Sequence, residues 1–415
     1  MKLVIAIPAL DEEESIASVI GRTLQARAVI VQRTAVTDVE VAVVSDGSTD
    51  RTVERARQFG AAITLIVFEQ NRGYGAAIME AWRQSDAELV GFLDADGTCD
   101  PLCFVELCSA ILDRGAHLAI GSRVHGASRM PLVRRTGNAV FATMLTALGS
   151  TRVRDAASGM RVVRRDCLQA LMPLPDGLHF TPAMSARAIL SDGLHVVEVD
   201  VPYETRAGRS KLRPLRDAWR FLRVILTAAI LYRPSRPLGI LAALAFASAL
   251  FWTGRLAWQY QRFGTFELWM IYHFVVIQLS TTAGVLLMTA GYLGRKAVDI
   301  TLSTGAGRWR PRGRVGAFLS HRTFWLIPFV LIVLGALAVA PAAIDYAGTG
   351  HIDPATHHWS RFFAMSFAFS LAFILTSARL LDITLDLLAD RVTYLKSGVA
   401  ISSDAEAPPS RGARQ

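Results

Sequence analysis

Paired carboxylates follow apolar segments in the N-terminal half of this 415-residue sequence, where they could bind a cation. Asp94 and Asp96 come directly after the apolar segment 88–93. Two carboxylates at this spacing can approach one divalent cation if the turn folds back, and hard cations such as Mg²⁺ take oxygen ligands that they share with substrate phosphates. Such a cation would neutralise charge that builds on a diphosphate leaving group. Because turns are rich in aspartate for local reasons, an ordinary turn is the alternative.

The surrounding elements predict how these carboxylates are positioned. Apolar segments alternate with segments of helical period, which is typical of a mostly parallel sheet covered by helices on both faces. In such α/β sheets the ligand lies at the carboxyl ends of the strands, and two more of these ends are polar, 7–12 and 46–50. The predicted strands are 2–8, 40–45, 63–68, 88–93 and 118–122, and the predicted helices are 11–27, 49–59, 73–83 and 102–114.

The C-terminal half differs in composition. Hydrophobic residues make up 52% of the chain and charged residues 19%, which excludes a disordered chain. Four uncharged runs concentrate this hydrophobicity: 237–254, 268–294, 323–344 and 362–378. A helix needs roughly 20 apolar residues to cross a bilayer. The four runs therefore predict an all-α domain of four transmembrane helices, with buried helices of a soluble core as the alternative.

The cations around these runs alternate. Segment 206–236 carries nine Lys or Arg residues and 295–322 carries seven, whereas 255–267 carries two and 345–361 carries one. Because cytoplasmic loops are enriched in Lys and Arg, we expect the N-terminal domain and the C-terminal tail to be cytoplasmic. The expected organisation is an α/β domain over 1–205, a basic juxtamembrane region over 206–236, transmembrane helices over 237–388 and a largely disordered tail over 389–415.

An amphipathic helix is predicted over 212–232. Cations repeat along one face and apolar residues along the neighbouring face: Arg216, Arg220 and Arg223, then Leu215, Trp219, Leu222 and Leu226. Such a helix is suited to lying in the lipid headgroup layer. Packing on the N-terminal domain is the alternative.

Other chemistries fit the sequence less well. The net charge of +9 is compatible with nucleic acid, lipid or phosphorylated partners. No nucleic-acid recognition motif occurs in the sequence, so we expect no nucleic-acid partner. Segment 71–77 lacks the third glycine of a dinucleotide-binding loop, and there is no P-loop motif.

Two groups of potential metal ligands have weak spacing. Three cysteines cluster without a CxxC pair, so buried or idle thiols are expected at Cys99, Cys103 and Cys108. Three histidines in the link 345–361 are expected to lie in a solvated loop, with a metal site as the alternative: His351, His357 and His358.

Taken together, the strand-end motifs resemble glycosyltransferase family 2, of the Rossmann-like GT-A fold. The likeness is greatest to its dolichol-phosphate mannosyltransferases and bacterial polyprenyl-phosphate sugar transferases, and it covers about residues 1–225. It rests on the segments 8–12, 46–52, 71–75, 94–96, 121–123, 155–161 and 206–211, of which the last two are typical of the lipid-phosphate branch.

The resemblance implies roles for individual residues. The base and ribose of a nucleotide sugar would contact Pro8, Ala9, Glu12 and Asp46, with further donor contacts from Leu10, Ser48, Gly75, Ala95 and Arg123. Asp94 and Asp96 would hold Mg²⁺ or Mn²⁺ and the donor diphosphate, and Asp155 would shape or serve the reaction centre. The acceptor phosphate would meet Arg134 or Arg135, Ser158, Arg206, Ser210 and Lys211.

The implied reaction is an inverting transfer of a sugar from a UDP- or GDP-linked donor to undecaprenyl or dolichyl phosphate at the plasma membrane. The alternatives are a family 2 transferase with another lipid or glycan acceptor, and a non-catalytic membrane-bound nucleotide-sugar binder. Three residues depart from the family pattern and leave the base and the metal's third protein ligand open: Asp11, Ser45 and Thr98. No QxxRW motif occurs, which disfavours chain polymerisation. Four spans exceed what anchoring requires, and the sequence leaves two uses for them open: homo-oligomerisation and assistance to lipid movement.

Overall fold

The computed structural model describes residues 1–124, 132–149, 151–191, 193–204, 214–302, 313–353 and 356–403. The chain divides into two compact units, Met1–Tyr232 and Arg233–Gln415. The first unit contains a seven-stranded sheet, and the second is built from helices.

The sheet of the first unit has the strand order β3-β2-β1-β4-β6-β5-β7. Its strands are β1 Lys2–Ala9, β2 Asp38–Asp46, β3 Thr64–Phe68, β4 Leu89–Leu93, β5 Leu118–Ser122, β6 Met160–Arg164 and β7 Val196–Asp200. All of these pair in parallel except β6, which runs antiparallel to both β4 and β5. The helices are α1 Ile16–Arg33, α2 Thr52–Arg57, α3 Tyr74–Arg83, α4 Phe104–Leu112, α5 Leu132–Leu148, α6 Leu168–Leu171, α7 Phe180–Leu190 and α8 Pro214–Tyr232.

The central strands read as continuous apolar runs because helices cover both faces of the sheet. Along β1, Leu3, Ile5 and Ile7 enter one core with α1 and α4. Val4 and Ala6 enter the opposite core, which includes Trp82 of α3. The expectation of an α/β fold with a mostly parallel sheet is confirmed.

The first helix begins later than the sequence pattern indicated. The pattern predicts a helix from residue 11, but α1 begins at Ile16. The intervening turn is held by the loop after β2, because Asp11 Oδ1 accepts from the Thr49 amide at 2.7 Å and the Glu12 amide donates to Thr52 Oγ1 at 2.8 Å. Asp11 has φ of 46°, a conformation that a continuing helix cannot include.

Helix α8 packs on the first unit through one face and leaves another exposed. Ile225, Ala228 and Ala229 are buried in the core, and the rings of Phe221 and Phe141 of α5 lie 5.7 Å apart. The exposed apolar side chains are Trp219, Leu226, Ile230 and Leu231, and the exposed cations are Arg216, Arg220 and Arg223. Packing on the domain is thus observed, and the contact of the exposed face with lipid stays a prediction.

The second unit contains α9 Ser235–Phe263, α10 Ile271–Leu302, α11 Gly313–Ser320, α12 Leu326–Thr349 and α13 Ser360–Ser403. Within the described part of the chain, four segments are long and apolar enough to cross a membrane, as expected: Ser235–Phe263, Leu268–Thr301, Leu326–Thr349 and Ser360–Val392. Helix α10 packs against α9 and α13, and α12 packs against α13. The four-helix expectation is confirmed.

A buried ionic cluster joins α10 to α13. Lys296 Nζ lies 2.5 Å from Asp382 Oδ1 and 2.8 Å from Asp386 Oδ1, and Arg379 also contacts Asp382. Lys296 and Asp382 are both about 1% exposed. Buried charges require such partners, since an unpaired charge in an apolar environment is costly.

Candidate active site

The site is centred on the carboxyl end of β4, where Asp94, Ala95 and Asp96 follow the strand directly. Asp94 Oδ1 accepts a 2.5 Å hydrogen bond from the hydroxyl of Tyr74. Asp96 is buried, and its Oδ1 accepts from the backbone amide and the hydroxyl of Thr98, at 3.1 and 2.7 Å. The two carboxylates are therefore held from different parts of the chain.

Tyr74 remains a hydrogen-bond donor at neutral pH. Burial and the adjacent Asp94 charge raise the pKa of Tyr74 well above its usual value. Its ring packs edge-on against Phe92 and near Phe180, so the hydroxyl is directed by a packed aromatic cluster.

The turn before β6 lies against Asp94. Because β6 is antiparallel to β4, with Leu93 opposite Met160, the start of β6 lies at the same sheet edge as the end of β4. The Asp94 amide donates to the Gly159 carbonyl at 3.1 Å, and a Cβ built on Gly159 would overlap the Asp94 carboxylate. Any larger residue at position 159 would therefore have to displace the Asp94 carboxylate.

Asp155 is the centre of a buried hydrogen-bonded cluster. Its carboxylate accepts from Arg123 Nε at 2.8 Å and Nη2 at 3.1 Å, from the Arg123 amide at 3.0 Å, and from Asn138 Nδ2 at 3.1 Å. Asp155 is 0% exposed. This geometry favours the first of its two predicted roles, shaping the reaction centre, over direct contact with substrate.

The electrostatics of this pair keep both groups ionised. Burial alone would raise the pKa of the Asp155 carboxyl, but the charge and hydrogen bonds of Arg123 outweigh it and hold the pKa below its usual value. Burial lowers the pKa of Arg123, yet Asp155 outweighs that effect and raises it. Nearby, burial lowers the pKa of Arg161 to about 10, so its guanidinium is still charged at neutral pH.

The predicted donor residues at the ends of β1 and β2 lie where the two following loops hydrogen bond to each other. The Ser48 hydroxyl accepts from the Asp11 amide at 3.1 Å and lies 3.5 Å from the Ala9 carbonyl. The other predicted donor residues of this region lie at the end of β1 and in the turn that follows it: Pro8, Leu10 and Glu12. Pro8 and Ala9 are buried, whereas Leu10 and Glu12 are partly exposed. The contacts of these residues with a nucleotide stay predictions.

Asp46 and Gly75 organise the loop before α3. Asp46 is buried, and its carboxylate accepts from the amides of Arg72, at 2.6 Å, and Gly73, at 2.9 Å. The Gly75 amide donates to the Asp176 carbonyl at 2.6 Å. Asp46 thus fixes the loop that carries Tyr74.

The predicted acceptor residues are placed unevenly. Ser158 is fully buried, and its hydroxyl donates to the Gly121 carbonyl at 2.5 Å, which favours a supporting role over contact with phosphate. Arg135 is exposed on α5. Arg134 lies on the same helix, and its side chain is outside the described part of the chain, as are the residues Arg206, Ser210 and Lys211.

The donor set at β4 fits a hard divalent cation. Asp94 and Asp96 offer only carboxylate oxygens, the ligands that Mg²⁺ and Mn²⁺ accept, and such ions fill their remaining positions with substrate phosphates and water. Among the described residues, no three His, Cys, Asp or Glu side chains gather as a metal site. All four cysteines are free, and His357 contacts Asp345 instead of a second histidine.

Sequence reasoning gave no role to three residues that support the site. Tyr74, Gly159 and Arg161 all lie in motifs that carried the resemblance, which is the signal that could have identified them. Their partners are distant in sequence or are backbone atoms, so spacing alone does not reveal the contacts.

Comparisons with known proteins agree with this geometry. The family model "Glycosyl transferase family 2" matches residues 4–172. A dolichyl-phosphate hexose transferase of Haloferax volcanii is 32% identical over 221 residues, 51% of this chain and 87% of that protein. A low-salt glycan biosynthesis hexosyltransferase of the same organism is 31% identical over 262 residues, 61% of this chain and 60% of that protein. An undecaprenyl-phosphate 4-deoxy-4-formamido-L-arabinose transferase of Photorhabdus laumondii is 27% identical over 210 residues, 49% of this chain and 61% of that protein.

The sheet, the paired carboxylates and these matches define a glycosyltransferase. The chain belongs to glycosyl transferase family 2, and the expected GT-A class is confirmed. The chain spans about three fifths of the length of two of these relatives.

Proposed function

We propose that this chain transfers a sugar from a nucleotide sugar to a polyprenyl phosphate, with inversion at the anomeric carbon, on the cytoplasmic side of the membrane. The observation that carries the proposal is that one chain joins the Asp94–Asp96 site of a family 2 transferase to four membrane-length helices. Relatives named for dolichyl phosphate and undecaprenyl phosphate support the acceptor class. The uneven distribution of cations supports the orientation.

The acceptor explains why the site needs no exposed general base. A phosphate monoester has a second pKa near 6, so it is mostly a dianion at neutral pH and attacks without losing a proton. The buried acid Asp155 is fully occupied by Arg123 and Asn138, which agrees with a nucleophile that is already charged. Transfer to a sugar hydroxyl would require an acid or base free to move a proton.

The main barrier is repulsion between two anions. When bound at Asp94 and Asp96, Mg²⁺ or Mn²⁺ would offset charge on the donor diphosphate. This chain's own cations must neutralise the acceptor phosphate. Arg123 already has Asp155 as its counter-ion, so we assign the acceptor phosphate chiefly to Arg134 or Arg135 and to the segment that holds Arg206, Ser210 and Lys211.

Helix α8 supplies a physical route to a lipid acceptor. A polyprenyl tail stays in the bilayer, so its phosphate lies at headgroup level. The exposed face of α8 combines Trp219, which is 67% exposed, with Ile230 and three exposed arginines, a combination suited to that level. We propose that this face rests in the headgroup layer of the inner leaflet.

Product analysis tests the reaction. Purified full-length protein is supplied with labelled UDP- and GDP-sugars, polyprenyl phosphate and Mg²⁺ or Mn²⁺. Label should appear in a lipid that mild acid cleaves, because a sugar phosphodiester of this type is acid-labile. Label in an acid-stable lipid or in a glycan would refute the polyprenyl-phosphate acceptor.

Matched variants test the site and the helix. Asp96→Asn should abolish transfer, whereas Asp86→Asn, at the opposite end of β4 with an 80% exposed side chain, should not. Trp219→Glu with Ile230→Glu should reduce activity on a long-chain acceptor more than on a short soluble one. The control Val31→Glu, on exposed α1 surface, should affect neither acceptor. Equal losses on both acceptors would contradict the membrane role of α8.

A further inference from the structure

The Asp94 carboxylate is held on one side by the side chain of Tyr74. Tyr74 begins α3, and its ring is set by Phe92, at 6.3 Å between centroids, and Phe180, at 6.5 Å. From this position its hydroxyl donates to Asp94 Oδ1 at 2.5 Å. The direction of the hydroxyl is therefore fixed by core packing and not by a flexible surface side chain.

The other side of the same carboxylate is bounded by main chain. Gly159 leaves no room for a Cβ, because that atom would overlap the Asp94 carboxylate. The Gly159 carbonyl also accepts from the Asp94 amide at 3.1 Å. Asp94 is thus confined between a phenolic hydroxyl and a glycine Cα.

A buried arginine holds the turn that carries this glycine. Arg161 is 0% exposed, and it donates through Nε to the Ser158 carbonyl at 3.1 Å and through Nη2 to the Ala156 carbonyl at 3.0 Å. These bonds fix two carbonyls of the turn immediately before Gly159. Asp96 contrasts with this arrangement, since its Oδ1 is bonded within its own turn by Thr98.

We propose that Tyr74 and Gly159 are positioning residues that fix the Asp94 carboxylate in the orientation required to bind the divalent cation. The inference rests on the metal assignment to Asp94 and Asp96 in the proposed function. Groups that orient a metal ligand commonly change metal affinity by about 10–100-fold when removed, because the ligand then loses its preset geometry. Neither residue is assigned a contact with substrate.

The test measures binding of Mn²⁺ alone to the full-length protein in detergent, by the electron paramagnetic resonance signal of free Mn²⁺. Tyr74→Phe keeps the ring and removes the hydroxyl, and it should raise the dissociation constant about tenfold. Gly159→Ala introduces the overlapping Cβ and should weaken binding at least as much. Trp82→Phe is the matched control, because Trp82 lies in the same aromatic cluster. Like Tyr74→Phe, this variant keeps an aromatic ring and removes one buried hydrogen bond, which Trp82 donates to the Gly91 carbonyl at 3.0 Å. That control should bind Mn²⁺ like the wild type.

The outcomes separate this inference from the proposed function. If Asp96→Asn binds Mn²⁺ as well as the wild type, the metal assignment itself is wrong, and the inference with it. If Asp96→Asn loses binding while Tyr74→Phe keeps wild-type affinity, only the positioning role is wrong. Equal losses in Tyr74→Phe and Trp82→Phe would also overturn it, because the effect would then belong to the core in general. A selective loss in Tyr74→Phe supports the inference, even if Gly159→Ala fails to fold.

Discussion

Replacing Asp155 with asparagine should destabilise the first unit strongly, although the two side chains have nearly the same shape. Asp155 is 0% exposed and is the counter-ion of Arg123, whose side chain is 14% exposed. Removing one partner of a buried ion pair costs about 3–5 kcal/mol, since the other charge is left uncompensated. At about 1.4 kcal/mol per factor of ten, the opening equilibrium should rise roughly 140- to 4,000-fold.

Hydrogen exchange in the full-length protein measures this effect at β6 and β5, the strands next to the pair. The neighbouring Arg154→Gln is the control, because Arg154 pairs with Glu198 and Asp200 but its side chain is 42% exposed. Exposed pairs contribute about 0–1 kcal/mol, so this variant should retain protection in β6. If Asp155→Asn loses less than about fivefold in protection, or no more than the control, the reasoning about the buried pair is wrong.

The same pair has a defined pH dependence. The pKa of Asp155 is lowered in the folded protein, so its contribution is fully present above the unfolded value of 3.8 and is lost as the pH falls through the folded value. The difference in stability between wild type and Asp155→Asn should therefore stay constant from about pH 8 to pH 5 and narrow below about pH 4. If the difference in stability between wild type and Asp155→Asn increases as the pH falls, the assignment of a negative charge to Asp155 is wrong.

Three further predictions concern other parts of the chain. In the second unit, Asp382→Asn should lower the free energy of unfolding by about 1–3 kcal/mol, because Lys296 and Arg379 lose a buried carboxylate while Lys296 keeps its contact with Asp386. Asp386→Asn, whose side chain is 48% exposed, should cost much less, and equal shifts in melting temperature would contradict this. Asp11→Asn should change stability by less than about 0.5 kcal/mol, since asparagine tolerates the positive φ, and Asp11→Val should cost about 1–3 kcal/mol in denaturant unfolding. Burial raises the pKa of the Cys99 and Cys108 thiols to about 12. Iodoacetamide should therefore label these thiols at pH 8 only after the protein is unfolded, and mass spectrometry of the labelled protein measures this.

The parts of the fold that sequence predicted well are those governed by burial on both faces. Strand β4 was predicted over 88–93 and lies at Leu89–Leu93, and β5 was predicted over 118–122 and lies at Leu118–Ser122. A strand that is buried on both faces is a continuous apolar run, and polar residues mark its two ends in the sequence. The same reasoning placed Asp94 and Asp96 at the carboxyl edge of the sheet.

The parts that sequence missed depend on long-range contacts. The start of α1 at Ile16 is set by hydrogen bonds from Thr49 and to Thr52, more than 30 residues away. Strands β6 and β7 were not predicted, and hydropathy does not encode the antiparallel direction of β6. The hydrogen bond from Tyr74 to Asp94 is a contact between separate elements and has no local pattern.

The direction of β6 explains why one edge of the sheet carries so much of the candidate site. The parallel strands β4 and β5 end at this edge and deliver Asp94 and Arg123 to it. Because β6 is antiparallel to both β4 and β5, it begins at the edge where those two strands end. The turn before β6 therefore brings Asp155 and Gly159 to the same edge. The Asp94 amide donates to the Gly159 carbonyl, and at the other end of the same turn Asp155 accepts from Arg123. A parallel β6 would have put this turn at the far edge of the sheet, about 15 Å away at roughly 3.3 Å per residue, and the carboxylate of Asp94 would have lost its close contact with Gly159.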